Sequence, residues 1–298
     1  MIEENLLNVS AIICTRNRAG SLTRALRAML ELDLSDGPFE LIIVDNGSSD
    51  DTKFVIEEFA GKSNFQIRYV FEPKPGLSYA RNCGLRNASG DLILFTDDDC
   101  YVEKEWVGVA RKLFADNLEK MIGGRVEQFN KSHLRLAIKT AISPEKLDSP
   151  NMIYGFLHGA NMAFGRCVLA RIGYFDVRFG AGTKLRAAED TDFTYRALIA
   201  GIPVTYEPTL VVQHDHGRSG KHEQHKLEYG YTLGIGGMLA KNLLNGRTDL
   251  MRPIYWDVRS HLRGWNDNQV QWRELFSKIA YLNGAVRFLV QASWRKSS

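Results

Sequence analysis

Three consecutive carboxylates, Asp97-Asp98-Asp99, follow the apolar run Leu92-Ile93-Leu94-Phe95 after a single Thr96. Adjacent acids repel one another, so a triplet at the end of a buried stretch calls for a compensating cation. Carboxylate oxygens suit hard divalent ions, which makes Mn²⁺ or Mg²⁺ the expected cofactor. A short apolar run rich in branched residues reads as a buried strand. The carboxyl ends of such strands are where open α/β sheets bind ligands. Without that context the triplet would fit a solvated acidic turn equally well. A second acidic pair, Glu189-Asp190, opens an amphipathic stretch in which Phe193, Ala197 and Leu198 share a face, ended by Gly201 and Pro203. Acids in a first helical turn are favoured by the macrodipole, so spacing alone supports a capping cluster there. Gln213-His214-Asp215-His216 places two imidazoles around an acid, a pattern that can ligate a metal.

The elements that must position these groups follow from hydrophobic periodicity. Apolar runs at 9–14, 39–44, 67–71 and 91–95 read as strands, and 22–32, 52–59 and 77–88 as helices, with Ser21 the expected N-cap of the first. Strands alternating with helices across short loops imply βαβ units and a mostly parallel, Rossmann-like sheet flanked by helices. Further on, 102–118 reads as a helix and 121–128, 204–206 and 210–212 as strands, while the pattern weakens from 129 to 151. No GxGxxG or GxxxxGK[ST] stands after the first strand, so polar residues at strand tips must bind any nucleotide. Thr15 and Arg16 are at the first tip and Asp45 at the second. Asp45-Asn46-Gly47 alone reads as an Asx turn.

Composition narrows the class. The 298 residues are 44% hydrophobic and 24% charged, with net charge +3. That is globular, and too weakly basic to argue for nucleic acid. Cys14, Cys83, Cys100 and Cys167 are scattered and read as reduced core thiols. The acidic start, Met1 to Asn8, has no signal-peptide core, and no run reaches the ~20 apolar residues of a membrane span. The expectation is a protein at work in the cytoplasm, including the inner face of the membrane.

Four ordered motifs then carry a resemblance. Ile12-Ile13-Cys14-Thr15-Arg16-Asn17-Arg18, Ile42 to Asp50, Gly76 to Gly84 and the acidic triplet are similar to family 2 nucleotide-sugar glycosyltransferases, whose fold is called GT-A. The resemblance runs from about Val9 to about His216. It implies a domain over 1–222, with a nucleotide-binding half at 9–128 and an acceptor half at 129–222, and a helical extension over 223–298. It implies nucleotide contacts from Thr15, Arg16, Asp45, Arg81, Asp97 and Asp98, with uracil the usual base. Metal ligation falls to Asp99 and Asp97, with His214 the expected third ligand and His216 the alternative. Gly159, Ala160 and Asn161 would line the donor and acceptor cleft, and Arg218 and Lys221 would clamp the diphosphate. Asp190 would be the catalytic base of an inverting displacement, with Glu189 orienting the acceptor. A nucleotide-sugar donor and a glycan or lipid-linked acceptor follow as partners.

Beyond Glu223 the stretch Gly230 to Lys241 is glycine-rich yet helical in pattern. Trp272, Leu275, Phe276, Ile279, Leu282 and Val286 keep helical spacing beside Arg273, Lys278, Arg287, Arg295 and Lys296. A helix packed on the main domain fits, as does one lying on an anionic membrane face. No QxxRW motif is present, which argues against processive synthases. Rival readings meet specific objections. A DxDxT phosphatase needs Thr where Cys100 and Tyr101 stand, and a sugar-nucleotide pyrophosphorylase needs a glycine-rich loop that 15–20 lacks. An inactive sugar-binding module would not need Asp99 and Asp190.

Overall fold

The computed structural model describes residues 6–251 and 268–294. Its first half follows the expected alternation: β1 (Val9–Thr15), α1 (Ala19–Leu30), β2 (Phe39–Asp45), α2 (Thr52–Ala60), β3 (Gln66–Phe71), α3 (Leu77–Asn87) and β4 (Leu92–Asp97). These four strands are parallel, in the order β3-β2-β1-β4. The second half comprises β5 (Cys100–Val102), α4 (Trp106–Phe114), β6 (Met121–Gln128), β7 (Glu145–Lys146), β8 (Asn161–Gly165), α5 (Val168–Ile172), α6 (Glu189–Ile199) and β9 (Val204–His214). The sheet continues β4-β8-β6-β9-β5, with β8 antiparallel to both β4 and β6. The extension is α7 (Lys221–Leu244) and α8 (Asn268–Trp294).

Side chains alternate across the strands, so each sheet face builds its own core. Ile12, Ile42, Val44, Ile93 and Phe95 pack with α3 and α6 through Ala80, Leu85, Phe193 and Tyr195. Ile13, Ile43 and Leu94 face α1, α2 and α4 through Leu22, Leu26, Ile56 and Trp106. Each fully buried large aliphatic contributes about 1.5–3 kcal/mol, which fixes the register that brings the strand tips together.

Several boundaries differ from the sequence reading. Helix α1 begins at Ala19, ahead of Ser21, because its cap comes from another loop: Asp50 Oδ2 accepts from the Ala19 N–H at 3.1 Å. The stretch expected as one helix from Val102 splits into β5 and a shorter α4. The two short strands at 204–212 are one, β9, which shifts register against β6 at Gly124/Arg125. Cys167 is exposed, so it is not a core thiol.

Gly234, Gly236 and Gly237 of α7 are explained by contact. A Cβ on Gly236 would lie 2.1 Å from the Tyr281 carbonyl oxygen of α8, and one on Gly284 would lie 2.0 Å from that of Leu233. The two helices thus meet backbone to backbone. The Lys241 ammonium ties α7 to the main sheet layer, at 2.7 Å from Asp192 on α6 and 2.9 Å from Asp176. Helix α8 buries Ala280 and Phe288 and leaves Ile279, Leu282 and Val286 exposed. The residues picked out by spacing are therefore its outer face and not its packing face. Trp272, Leu275, Phe276, Arg273, Lys278, Arg295 and Lys296 lie outside the described side chains.

Candidate active site

One cavity of about 600 Å³ opens where the carboxyl ends of β1 and β4 meet β8, β9 and the start of α6. Parallel pairing sets Cys14 of β1 opposite Asp97 of β4. The chain then turns through Asp98 and Asp99 into β5, whose Cys100 pairs with His214 of β9. That register carries His214 Nε2 to 3.3 Å from Asp99 Oδ1.

The three acids have separate surroundings. Asp97 is the open one, its side chain 35% exposed, with Arg81 Nη2 at 3.7 Å. Asp98 is buried, accepting from Thr15 Oγ1 at 2.7 Å and ion-paired with Arg18 Nε at 3.2 Å. Asp99 accepts from Arg18 Nη2 at 2.7 Å. Burial pushes Asp98 up to about 7, against the pull of Arg18. Desolvation by the cleft walls raises Asp97 as well, against Arg81. Burial works on Asp99 too, yet the hydrogen bond and charge of His214, with Arg18, hold it well below the ordinary carboxylate range. Against burial, Asp99 in turn raises His214.

The other acidic pair sits across the cavity. Helix α6 opens at Glu189 directly after Ala188, which is left-handed at φ 72° with no side-chain cap, a conformation costly for a residue other than glycine. Glu189 is held by Arg81 Nη1 at 2.9 Å. Burial, and then the Asp190 charge beside it, push Glu189 up to about 7 despite Arg81. Asp190 Oδ2 accepts from the Gly159 N–H at 3.0 Å. Gly159 is a glycine because a Cβ there would lie 2.1 Å from Arg81 Nη2. Arg81, its side chain 3% exposed, thus joins Asp97 of one acidic group to Glu189 of the other.

Most residues expected from sequence line this cavity: Thr15, Arg16, Arg81, Asp97, Asp98, Asp99, Gly159, Ala160, Glu189, Asp190, His214 and Arg218. Two do not. Asp45 shares the β2 face of Ile43, where Ser48 N–H and the Tyr69 hydroxyl donate to its oxygens at 2.8 and 3.1 Å. Its neighbour Asn46 reaches the cavity instead and holds the following loop, through Lys74 O at 2.7 Å and Gly76 N at 2.8 Å. Asn161 is fully buried behind the cleft. Its amide donates to Arg125 O at 2.9 Å and Leu210 O at 2.8 Å and accepts from Trp106 Nε1 at 3.0 Å. It thereby satisfies carbonyls left free where β6 and β9 slip register, in space vacated by Gly124. His216 turns away from the acids, bonding Leu134 O at 2.6 Å and Arg218 N at 3.0 Å. The Lys221 side chain is outside what is described.

Sequence reasoning missed Arg18 as a site residue, although Arg18 stands within the first motif and its loop follows the strand paired with β4. Arg186 and the α7 residues Leu227, Tyr231 and Ile235 also line the cavity and gave no local signal. The residues present fit a hard divalent ion. Single ligand atoms of Asp99, Cys100 and His214 lie within 4.8 Å of one another, and His214 Nδ1 is buried without a hydrogen-bond partner. Burial raises the Cys100 thiol well above its ordinary value. Oxygen and imidazole donors therefore remain, a set suited to Mn²⁺ or Mg²⁺.

Comparison with known proteins bears on the fold and the family. The "Glycosyltransferase AglE" of Haloferax volcanii is 30% identical over 120 residues, a match spanning 40% of this chain and 39% of AglE. Among solved structures, a mannosyltransferase of Pyrobaculum calidifontis in complex with GDP-Man and Mn²⁺ superposes with TM-score 0.64 at 20% identity, over 97% of this chain and 80% of that one. TarS residues 1–349 of S. aureus, in complex with UDP-GlcNAc, gives 0.59 at 17% identity, over 98% and 93%. These likenesses share the GT-A fold of this chain. The sequence pattern of glycosyl transferase family 2 matches residues 10–175, more than half the chain, and the chain belongs to that family.

Proposed function

We propose that this chain is a metal-dependent, inverting, non-processive glycosyltransferase acting on a nucleotide-sugar donor, with UDP the favoured carrier. The observation that carries this reading is the meeting, in one cavity, of the Asp97–Asp99 triplet and His214 on one side with Asp190 on the other. Residues 1–222 are the transferase domain in this reading and 223–298 its extension.

The nucleotide lies over the tips of β1 and β2, near Thr15, Arg16 and Asn46, with its diphosphate toward Asp97, Asp99 and His214. Asp98, spent on Thr15 and Arg18, orders the loop and leaves coordination to its neighbours. A divalent ion bound there supplies Lewis-acid stabilisation of the charge that develops on the departing diphosphate. Arg18 and Arg218 add cationic donors at the same end. Asp190 Oδ2, oriented by the Gly159 N–H, takes the proton from the acceptor hydroxyl as its oxygen attacks the anomeric carbon. The carbon–oxygen bond to the diphosphate breaks on the opposite face, which inverts the centre without a covalent enzyme intermediate. Glu189, raised toward neutrality and anchored on Arg81, is placed to orient the acceptor.

No described helix is long and apolar enough to cross a membrane. The exposed Ile279, Leu282, Val286, Leu289 and Val290 of α8 form an apolar stripe suited to lying on a membrane face that carries a lipid-linked acceptor.

Calorimetric titration of UDP, GDP and ADP, each with and without Mn²⁺, tests the reading. UDP should bind only with the ion, and Asp99→Asn should weaken that binding at least about tenfold, equivalent to about 1.4 kcal/mol. Unaltered, ion-dependent UDP binding and donor hydrolysis by Asp99→Asn would overturn it.

A further inference from the structure

The helical extension contributes a wall of the cavity, and nothing in the mechanism above uses it. Leu227, Tyr231 and Ile235 lie four apart on α7, hence on one face, and all three line the cavity that holds Asp190. The helix is seated on the segment that delivers the base. A Cβ on Gly234 would lie 2.7 Å from the Ala187 carbonyl carbon, and one on Gly237 would lie 2.8 Å from the Leu185 side chain. Leu185 to Ala188 runs directly into Glu189 and Asp190. The position of Tyr231 is thus tied, through the close approach of Gly234 to the Ala187 backbone, to the segment that leads into Asp190.

The chemistry of that wall selects its ligand. Tyr231 is 41% exposed although its helix is packed on both sides. Leu157, His158 and Gly159 line the same cavity, the last holding Asp190. Arg186, against Gly230 of α7, interrupts the apolar surface, so an acyl chain would strand a cation against hydrocarbon. A pyranose ring has the matching character, with a face of C–H groups and a rim of hydroxyls. Aromatic side chains cover such a face while polar neighbours take the rim. The acidic triplet end is the donor's, which leaves the part of the cavity walled by α7 for the acceptor.

We propose that Tyr231 is the platform on which the terminal pyranose of the acceptor stacks, so that α7 sets acceptor choice. This rests on reading the cavity as a nucleotide-sugar transferase site, and the experiment separates the two. Saturation-transfer difference NMR is run on methyl gluco-, galacto- and mannopyranosides, both anomers, with the whole protein, UDP and Mn²⁺. The wild type should transfer saturation to ring C–H protons of at least one glycoside. Tyr231→Ala should lose at least about fivefold of that signal, and Tyr231→Phe and Tyr231→Trp should keep it within about twofold, since the ring face and not the hydroxyl is used. UDP titration with Mn²⁺ should give Tyr231→Ala and wild type the same affinity within about twofold. An undiminished signal in Tyr231→Ala, an equal loss in Tyr231→Phe, no transfer from any glycoside, or UDP binding lost in Tyr231→Ala alone would each overturn the proposal. Failure of the wild type to bind UDP would overturn the underlying reading instead.

Discussion

Two glycines of the same helix should respond to alanine with opposite signs. In the interior of a helix, Gly→Ala gains about 1 kcal/mol from propensity when nothing else changes. At Gly230 nothing else does: a new Cβ would meet the Arg186 Cβ at 3.7 Å, an ordinary contact. At Gly236 it would meet the Tyr281 carbonyl oxygen at 2.1 Å, with that residue's carbonyl carbon and Cα at 2.8 and 2.9 Å. All three are backbone, so no rotamer change relieves the clash. Atoms in contact settle near about 3.5 Å, so α7 and α8 would have to part by more than about 1 Å, and a gap of that size forfeits up to about half of each dispersion contact across it. Leu233, Met238, Ala280 and Phe288 are the buried groups that would feel it. Overpacking of this kind costs about 1–3 kcal/mol, which exceeds the propensity gain. Urea unfolding followed by circular dichroism should show Gly230→Ala more stable than wild type by up to about 1 kcal/mol and Gly236→Ala less stable by roughly 1–2 kcal/mol. A Gly236→Ala protein as stable as wild type would refute the backbone-to-backbone contact on which the placement of α7, and of Tyr231, depends.

Two other expectations concern the cavity floor. Glu189 is raised from 4.5 to about 7, so its ionised form is less stable in the fold than in the unfolded chain. Its contribution is therefore complete below 4.5 and lost as pH rises through about 7; at about 1.4 kcal/mol per tenfold change in proton affinity this reaches about 3 kcal/mol. The stability difference between wild type and Glu189→Gln should turn against the wild type by that order between pH 4.5 and 8 in urea melts, and a difference that is flat with pH would contradict the assignment. Gly159→Ala should displace Arg81 from 2.1 Å and unsettle both Glu189 and Asp190, lowering donor hydrolysis at least about tenfold while UDP binding with Mn²⁺ persists. Full hydrolysis by that variant would show that the guanidinium is free to move.

The left half of the sheet was legible because its information is local. Ile12 to Thr15, Ile42 to Asp45 and Leu92 to Asp97 each carry an apolar run and a polar tip, and parallel pairing then aligns the tips. The acidic triplet was legible for the same reason, since like charges packed along the chain need an explanation wherever the chain goes, whereas Glu189-Asp190 by spacing alone fits a capping cluster and stood out only through the family resemblance. What escaped were partners chosen by the fold. The cap of α1 comes from Asp50, so Ser21 carried a signal that another loop overrode. Asp45 and Asn161 have motif-like neighbours, but which face of a strand a side chain takes is settled by the register of its neighbours. Tyr69 and Ser48 claim the first, and the β6–β9 slip claims the second. The choice of His214 over His216 against Asp99 is likewise made by one pairing, Cys100 with His214.

Sequence alone determined that acids would gather at strand ends and that an α/β sheet would present them, because both follow from composition and period over a few residues. Only the tertiary structure decided that Arg81 would link the two acidic groups and that a helix far along the chain would wall the cavity beside Asp190. Those contacts are between residues distant in sequence, and their cost or gain exists only once the backbones have met.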